Sequence, residues 1–256
     1  MWIIRPFNGV FFAVFAAFLA LLVAASLLLR GKREAVRRRV IILASLFTML
    51  GFLVYKGFLS VDREYSELTA AMGGFNWWGE LPLQLCNINM LLIPIAVHWN
   101  KRPLMSFCFF VGALGALMAV MMPGVGFSDC SLLLPRAIGY YGTHFAIIVE
   151  ALALVPFGLY RPRFRDLPVT ALALLLVALC ACGVSLLLRA TGLHPGANYF
   201  FSVETEGNPI LELFHRWLPA PFLYLLPCMA ILGVYMGVVM ALFAAFERIA
   251  ARLGRH

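Results

Sequence analysis

Seven apolar stretches, each near the roughly 20 residues that a helix needs to cross a bilayer, divide this chain from end to end. They run approximately over 7–29, 40–60, 80–98, 104–122, 138–159, 168–189 and 219–245. In hydrocarbon every backbone N–H and C=O needs an internal partner, so stretches of this length are helices. Only 12% of the 256 residues are charged and 63% are hydrophobic, against about 25% charged in a soluble domain. These features predict an all-α, polytopic membrane protein: one seven-helix transmembrane domain over residues 1–256. The first stretch is too long for a signal-peptide core, and no small-residue cleavage site follows it.

The connections carry an uneven charge. Residues 30–39 read RGKREAVRRR. With Lys101, Arg102, Arg161, Arg163, Arg165, Arg248, Arg252 and Arg255, one side of the membrane collects 14 basic residues. The other side has five: Arg5, Arg63, Arg136, Arg189 and Arg216. Basic residues mark the cytoplasmic face, so the N-terminus is expected outside, the C-terminus in the cytoplasm, and the chain in the plasma membrane. The net charge of +8 is spread in short clusters between apolar runs, which excludes a nucleic-acid surface. The outer connections, about 61–79, 123–137 and 190–218, are the longer ones, and long ordered loops tend to carry function.

Against this background the stretch Glu80-Leu-Pro-Leu-Gln-Leu-Cys-Asn-Ile-Asn89 stands out. It places Gln84, Cys86, Asn87 and Asn89 where hydrocarbon is expected, and polar groups in lipid require partners or a task. On a helix beginning near Glu80, Cys86 lies six residues in, about 9 Å deep at 1.5 Å per residue. His144 lies six residues into the stretch that begins near Ile138. A thiol becomes a useful nucleophile beside an imidazole that takes its proton. Cys86 and His144 are therefore the candidate catalytic pair. Asn87 and Asn89 flank Cys86 as candidate oxyanion donors, and Tyr140, four residues before His144, is placed to orient the ring or meet a headgroup. Glu150, near the middle of its stretch, is a secondary candidate, with Lys56 as a possible partner. The structural alternatives are an inert buried thiol and amides that only join helices. The six cysteines have no metal spacing, so no metal, cofactor or disulfide framework is expected.

LPLQLCNI (81–88), the Tyr-Tyr-Gly-Thr-His run (140–144), GANYFF (196–201) and Pro-Phe-Leu-Tyr (221–224) resemble the YwaF-type bacterial integral membrane proteins, which are similar to eukaryotic transmembrane protein 164. Gln84 stands where the pattern LPLHLC has His, which weakens any role that needs an imidazole there. The resemblance implies seven helices and, from the eukaryotic relative, a Cys-dependent acyl transfer among phospholipids. It makes Cys86 the nucleophile and His144 the base, with Gln84, Asn87, Asn89, Tyr140, Tyr141, Asn198 and Tyr199 as candidate substrate-binding or oxyanion residues. The expected activity is a lipid acyltransferase or acyl hydrolase at the outer leaflet, with membrane phospholipids as partners. The alternative is a non-enzymatic binding or transport protein for a small polar ligand in an outward-facing cavity.

Overall fold

The computed structural model describes residues 2–70 and 74–253, with side chains as far as residue 249. Arg255, the Arg252 side chain and positions 71–73 of the 61–79 connection lie outside the described residues. The helices are α1 (Gly9–Leu29), α2 (Glu34–Leu59), α3 (Arg63–Thr69), α4 (Asn89–His98), α5 (Arg102–Met121), α6 (Pro135–Ala153), α7 (Leu167–Ala190), α8 (Pro209–Trp217) and α9 (Leu226–Leu253). Two short strands, β1 (Ile3–Ile4) and β2 (Cys130–Ser131), pair antiparallel and pin the N-terminus across the 123–137 connection. Arg5 and Asp129 add an ion pair beside them.

Five helical segments among the described residues are long and apolar enough to cross a membrane: Gly9–Leu29, Glu34–Leu59, Arg102–Met121, Phe164–Ala190 and Leu223–Ile249. The chain is an all-helical, multi-pass membrane protein. The third expected helix differs most. Instead of running over 80–98, α4 has ten residues and begins at Asn89, while 80–88 is a series of turns. Pro82 disfavours helix at Leu81 and supplies no N–H. Farther on, the Asn89 side chain donates to the Leu85 and Cys86 carbonyls, at 2.8 and 3.2 Å, in competition with helical pairing. The fifth expected helix begins three residues early, at Pro135, and stops at Ala153 ahead of Pro156. The seventh begins late, at Leu226, because Pro219 and Pro221 precede it and Phe222 is left-handed at φ 67°.

α6 is the centre of the bundle. It carries Arg136, His144 and Glu150, and all three are buried. Its composition is too polar for a lipid-facing span because its surroundings are protein: α2 packs along it most extensively, and α5, α1 and α4 close the other sides. At Gly139 of α6 the α2 side chain Tyr55 lies so close that an added methyl would be 2.2 Å from its Cβ and Cγ. Phe11, Phe15 and Phe18 of α1 ring Phe145 at 5.5–5.8 Å between centroids. α7 and α9 lie beyond α5, with Met236 and Met240 reaching a second core of Ile93, Phe107 and Phe110.

Both ends of the bundle are tied by arginines. At the arginine-rich end Arg102 grips Asp166 with two bonds of 2.8 and 2.6 Å, and Tyr160 donates to the same carboxylate at 2.9 Å. At the opposite, loop-rich end Arg136 bonds Asp62 at 2.8 Å and Glu64 at 2.7 Å. Asp62 also caps α3, accepting from the Tyr65 N–H at 3.0 Å. Partial burial works against the Asp62 charge, but the Tyr65 amide and the Arg136 guanidinium outweigh it and hold the carboxyl below its usual range. A depressed carboxylate stabilises the fold above its unfolded pKa of about 3.9, and the contribution is lost as pH falls through the lower folded value. The melting temperature in detergent is therefore expected to be insensitive to this pair from neutrality to about pH 5 and to fall in stronger acid. Asp62→Asn keeps a capping side chain and removes the charge; a loss of about 1–2 kcal/mol at neutral pH and a shallower acid limb are the expected readings. An acid limb identical to wild type would assign it to other groups.

Candidate functional site

The turns of 80–88 are held inside the bundle, where irregular backbone at membrane depth is tolerated. Glu80 forms an ion pair with Lys56 of α2. The Lys56 ammonium also lies 4.7 Å from the Tyr55 ring centroid and 5.3 Å from that of Phe52. Behind the segment, α5 presents glycine. A methyl group at Gly115 would lie 3.5 Å from the Cys86 amide nitrogen, and one at Gly112 would lie 2.6 Å from the Asn89 side chain. Gly112 ends a π-helical turn, Cys108–Gly112, an irregularity often found at functional sites.

Cys86 is a buried free thiol. The backbone N–H groups of Cys86 and Asn87 are its neighbours along the chain. The expected helical wheel does not form: Cys86 and Asn87 precede α4, and Asn89 is its first residue. The side-chain oxygens of Asn87 and Asn89 are buried without a hydrogen-bond partner, and an oxygen accepts rather than donates. The Asn89 side-chain nitrogen is committed to the Leu85 and Cys86 carbonyls, so the Asn87 side-chain nitrogen and the backbone N–H groups are the candidate donors near Cys86.

His144 is buried on α6, and its Nδ1 lies 2.7 Å from the Tyr140 carbonyl oxygen. A carbonyl only accepts, so Nδ1 carries the proton and the neutral ring keeps its lone pair on Nε2. The Tyr140 and His144 ring centroids are 4.4 Å apart. Tyr140 in turn belongs to the buried cluster that includes Tyr55, Cys86, Met90 and Tyr141. Measured along their supporting helices, Gly115, beside Cys86, is six residues or about 9 Å before Met121; His144 is nine residues or about 14 Å beyond Pro135. The two offsets, expected to be equal, differ along these helices because α6 starts three residues earlier than expected.

The remaining motifs close over this segment. The Phe200 N–H donates to the Gln84 side chain at 3.1 Å, and the Tyr199 hydroxyl donates to the Trp78 carbonyl. Phe200 and Phe201 adopt left-handed backbone, φ 60° and 52°. The Tyr224 hydroxyl holds the Phe201 carbonyl, and the Phe222 N–H donates to the Ser202 carbonyl at 2.7 Å. LPLQLCNI, GANYFF and Pro-Phe-Leu-Tyr, far apart in sequence, form one hydrogen-bonded cap. The TMEM164 family model matches residues 6–243, which include every motif residue named here. The chain belongs to the TMEM164 family. No curated protein and no solved structure matches it.

Several polar groups of this TMEM164-family chain are committed to its own loops. The Tyr140 hydroxyl donates to the Ala119 carbonyl at 2.8 Å, and that of Tyr141 to the Phe127 carbonyl at 3.0 Å. Asn198 accepts from the Val203 and Glu204 amides at 2.9 and 3.1 Å and donates to the Glu204 carbonyl and the Glu206 carboxylate, both at 2.7 Å. Tyr140 orients the imidazole through its backbone carbonyl and ring rather than its hydroxyl. Glu150 accepts from Ser45 at 2.8 Å and Thr48 at 2.5 Å. Lys56 is not its partner: it lies eight residues beyond Thr48 on α2, about 12 Å along the axis. The Lys56–Glu80 pair was the contact that sequence reading missed. Its signal was a lone lysine and a lone glutamate at the same end of neighbouring apolar stretches. Among the described residues, no three of His, Cys, Asp and Glu gather as a metal site requires.

Proposed function

We propose that this chain is a membrane-embedded lipid acyltransferase or acyl hydrolase that uses Cys86 and His144. The observation that carries the reading is a buried free thiol in the cluster that contains Tyr140, together with a buried imidazole that lies beside the Tyr140 ring and whose Nδ1 faces the Tyr140 carbonyl, which leaves Nε2 as the acceptor. Nε2 takes the thiol proton while sulfur attacks the ester carbonyl carbon of a phospholipid. The oxyanion is met by the backbone N–H groups near Cys86. The C–O bond breaks, the lysolipid oxygen leaves with the proton from His144, and an acyl-thioester remains on Cys86. A lysolipid hydroxyl or water then attacks the thioester, giving its proton to Nε2, and the thiol is restored.

The topology that suits this chemistry has seven passes, with α4 and its preceding turns as the third and α6 as the fifth. The N-terminus is outside, the arginine-rich end is cytoplasmic, and the membrane is the plasma membrane. Cys86 then lies about 9 Å below the outer end of α5, close to the level of lipid ester groups. An alkyne-tagged acyl phospholipid in vesicles is expected to label the wild-type chain through a hydroxylamine-sensitive thioester. Equal labelling of Cys86→Ala would sink the reading.

One observation favours a second reading. The break before α4 resembles the interrupted helices that line transporter sites, and Glu150 lies buried next to α2. Uptake of a small polar solute that survives Cys86→Ala and fails with Glu150→Gln would select a transport protein.

A further inference from the structure

A groove of about 360 Å³ runs between α2 and α4. Ile42 and Leu46 line one wall, Met90, Pro94 and Ile95 the other, and His98 and Trp99 lie at the arginine-rich end. Leu46 is 43% exposed and Trp99 60% exposed, so the groove opens toward the surrounding hydrocarbon. An apolar opening of this kind stays dry, and in a bilayer the material at hand to fill it is a lipid chain. Its inner end lies at Met90, which is fully buried and belongs to the same hydrophobic cluster as Cys86, four residues before it in the chain. From Met90 to Trp99 is nine residues, about 14 Å, or close to half of a hydrocarbon core about 30 Å thick. Pro94 lies inside the continuous α4 and leaves the Met90 carbonyl without its helical N–H.

We propose that this groove holds the acyl chain of the lipid whose ester reacts at Cys86, with Trp99 as the stop that limits chain length. The inference rests on the acyl-transfer reading for the ester but not for the groove, and the test separates them. Cys86→Ala protein in phosphatidylcholine vesicles is irradiated with a long-chain phosphatidylcholine that carries a diazirine at the chain end. Crosslinks are expected to concentrate on residues 90–99. Leu46→Trp, which fills the groove, is expected to cut them roughly tenfold, equivalent to about 1.4 kcal/mol of chain binding. Leu28→Trp, on the exposed face of α1, is expected to leave them unchanged. Crosslinks spread evenly over the exposed helices, or unaffected by Leu46→Trp, would overturn the proposal. Concentrated crosslinks in a protein whose wild-type form never acylates Cys86 would support the groove and overturn the transfer reading alone.

Discussion

Exchanging His144 for glutamine is expected to leave the bundle folded and to lower acyl transfer by roughly 10²–10⁴-fold, the usual contribution of a positioned general base. Glutamine has a side-chain N–H that can take over the donation to the Tyr140 carbonyl now made by Nδ1 at 2.7 Å. It has no group that accepts and returns a proton near neutral pH. Folded yield and melting temperature in detergent should therefore change little, while turnover of a fluorescent phospholipid in vesicles collapses. Tyr140→Phe provides the contrast. It removes the hydroxyl that donates to the Ala119 carbonyl at 2.8 Å, at a cost of about 1 kcal/mol, but keeps the carbonyl that orients His144. Turnover per folded molecule is expected to stay near wild type. Turnover of His144→Gln within about tenfold of wild type, below the range of a general base, would remove His144 from the chemistry.

Gly139→Ala is expected to be the most damaging small substitution in the bundle. The added methyl would collide with both Cβ and Cγ of Tyr55, where α2 and α6 pack along each other. Cβ is fixed to the α2 backbone, so relief requires the helices to separate. Overpacking ordinarily costs about 1–3 kcal/mol, and this position is expected at or above the upper end, with loss of monodisperse protein. Small residues in membrane bundles allow such close approach. Gly142→Ala, on the same helix with nothing within 4 Å of the added methyl, is expected to be neutral or slightly stabilising. Tyr55→Ala combined with Gly139→Ala should restore part of the stability, because it removes the ring and leaves Cβ. Equal melting temperatures for the two glycine variants would contradict the packing of α2 on α6.

The outlines of α1, α2, α5 and α7 were legible in sequence because apolar runs of that length have one way to satisfy their backbone in lipid. The early stop of α6 and late start of α9 were visible as prolines that the hydropathy pattern overrode. α4 was harder. Residues 80–98 are apolar enough for a helix, but Pro82 and the Asn89 side chain give the backbone another set of partners. Cys86 and His144 could be named as candidates from residue type and their places in the apolar stretches. The state of the ring could not: the Nδ1 proton is fixed by a carbonyl on the same helix. Nor could the fate of the Tyr140, Tyr141 and Tyr199 hydroxyls, which are taken by the Ala119, Phe127 and Trp78 carbonyls.

The sequence by itself determined that the chain is a helical membrane protein, which end of the bundle is rich in arginine, and which few polar side chains its apolar stretches contain. Those are properties of local composition, since each residue meets lipid or water according to its own stretch. Tertiary structure alone decided that Cys86 lies in turns ahead of a half-length helix, that Glu150 is held by Ser45 and Thr48 while Lys56 goes to Glu80, and that the GANYFF loop closes over Gln84. The last two are hydrogen bonds or ion pairs between different elements of the chain, and the first depends on the bundle that encloses the turns. Such partners are selected by how the helices pack, and no local pattern of hydropathy encodes them.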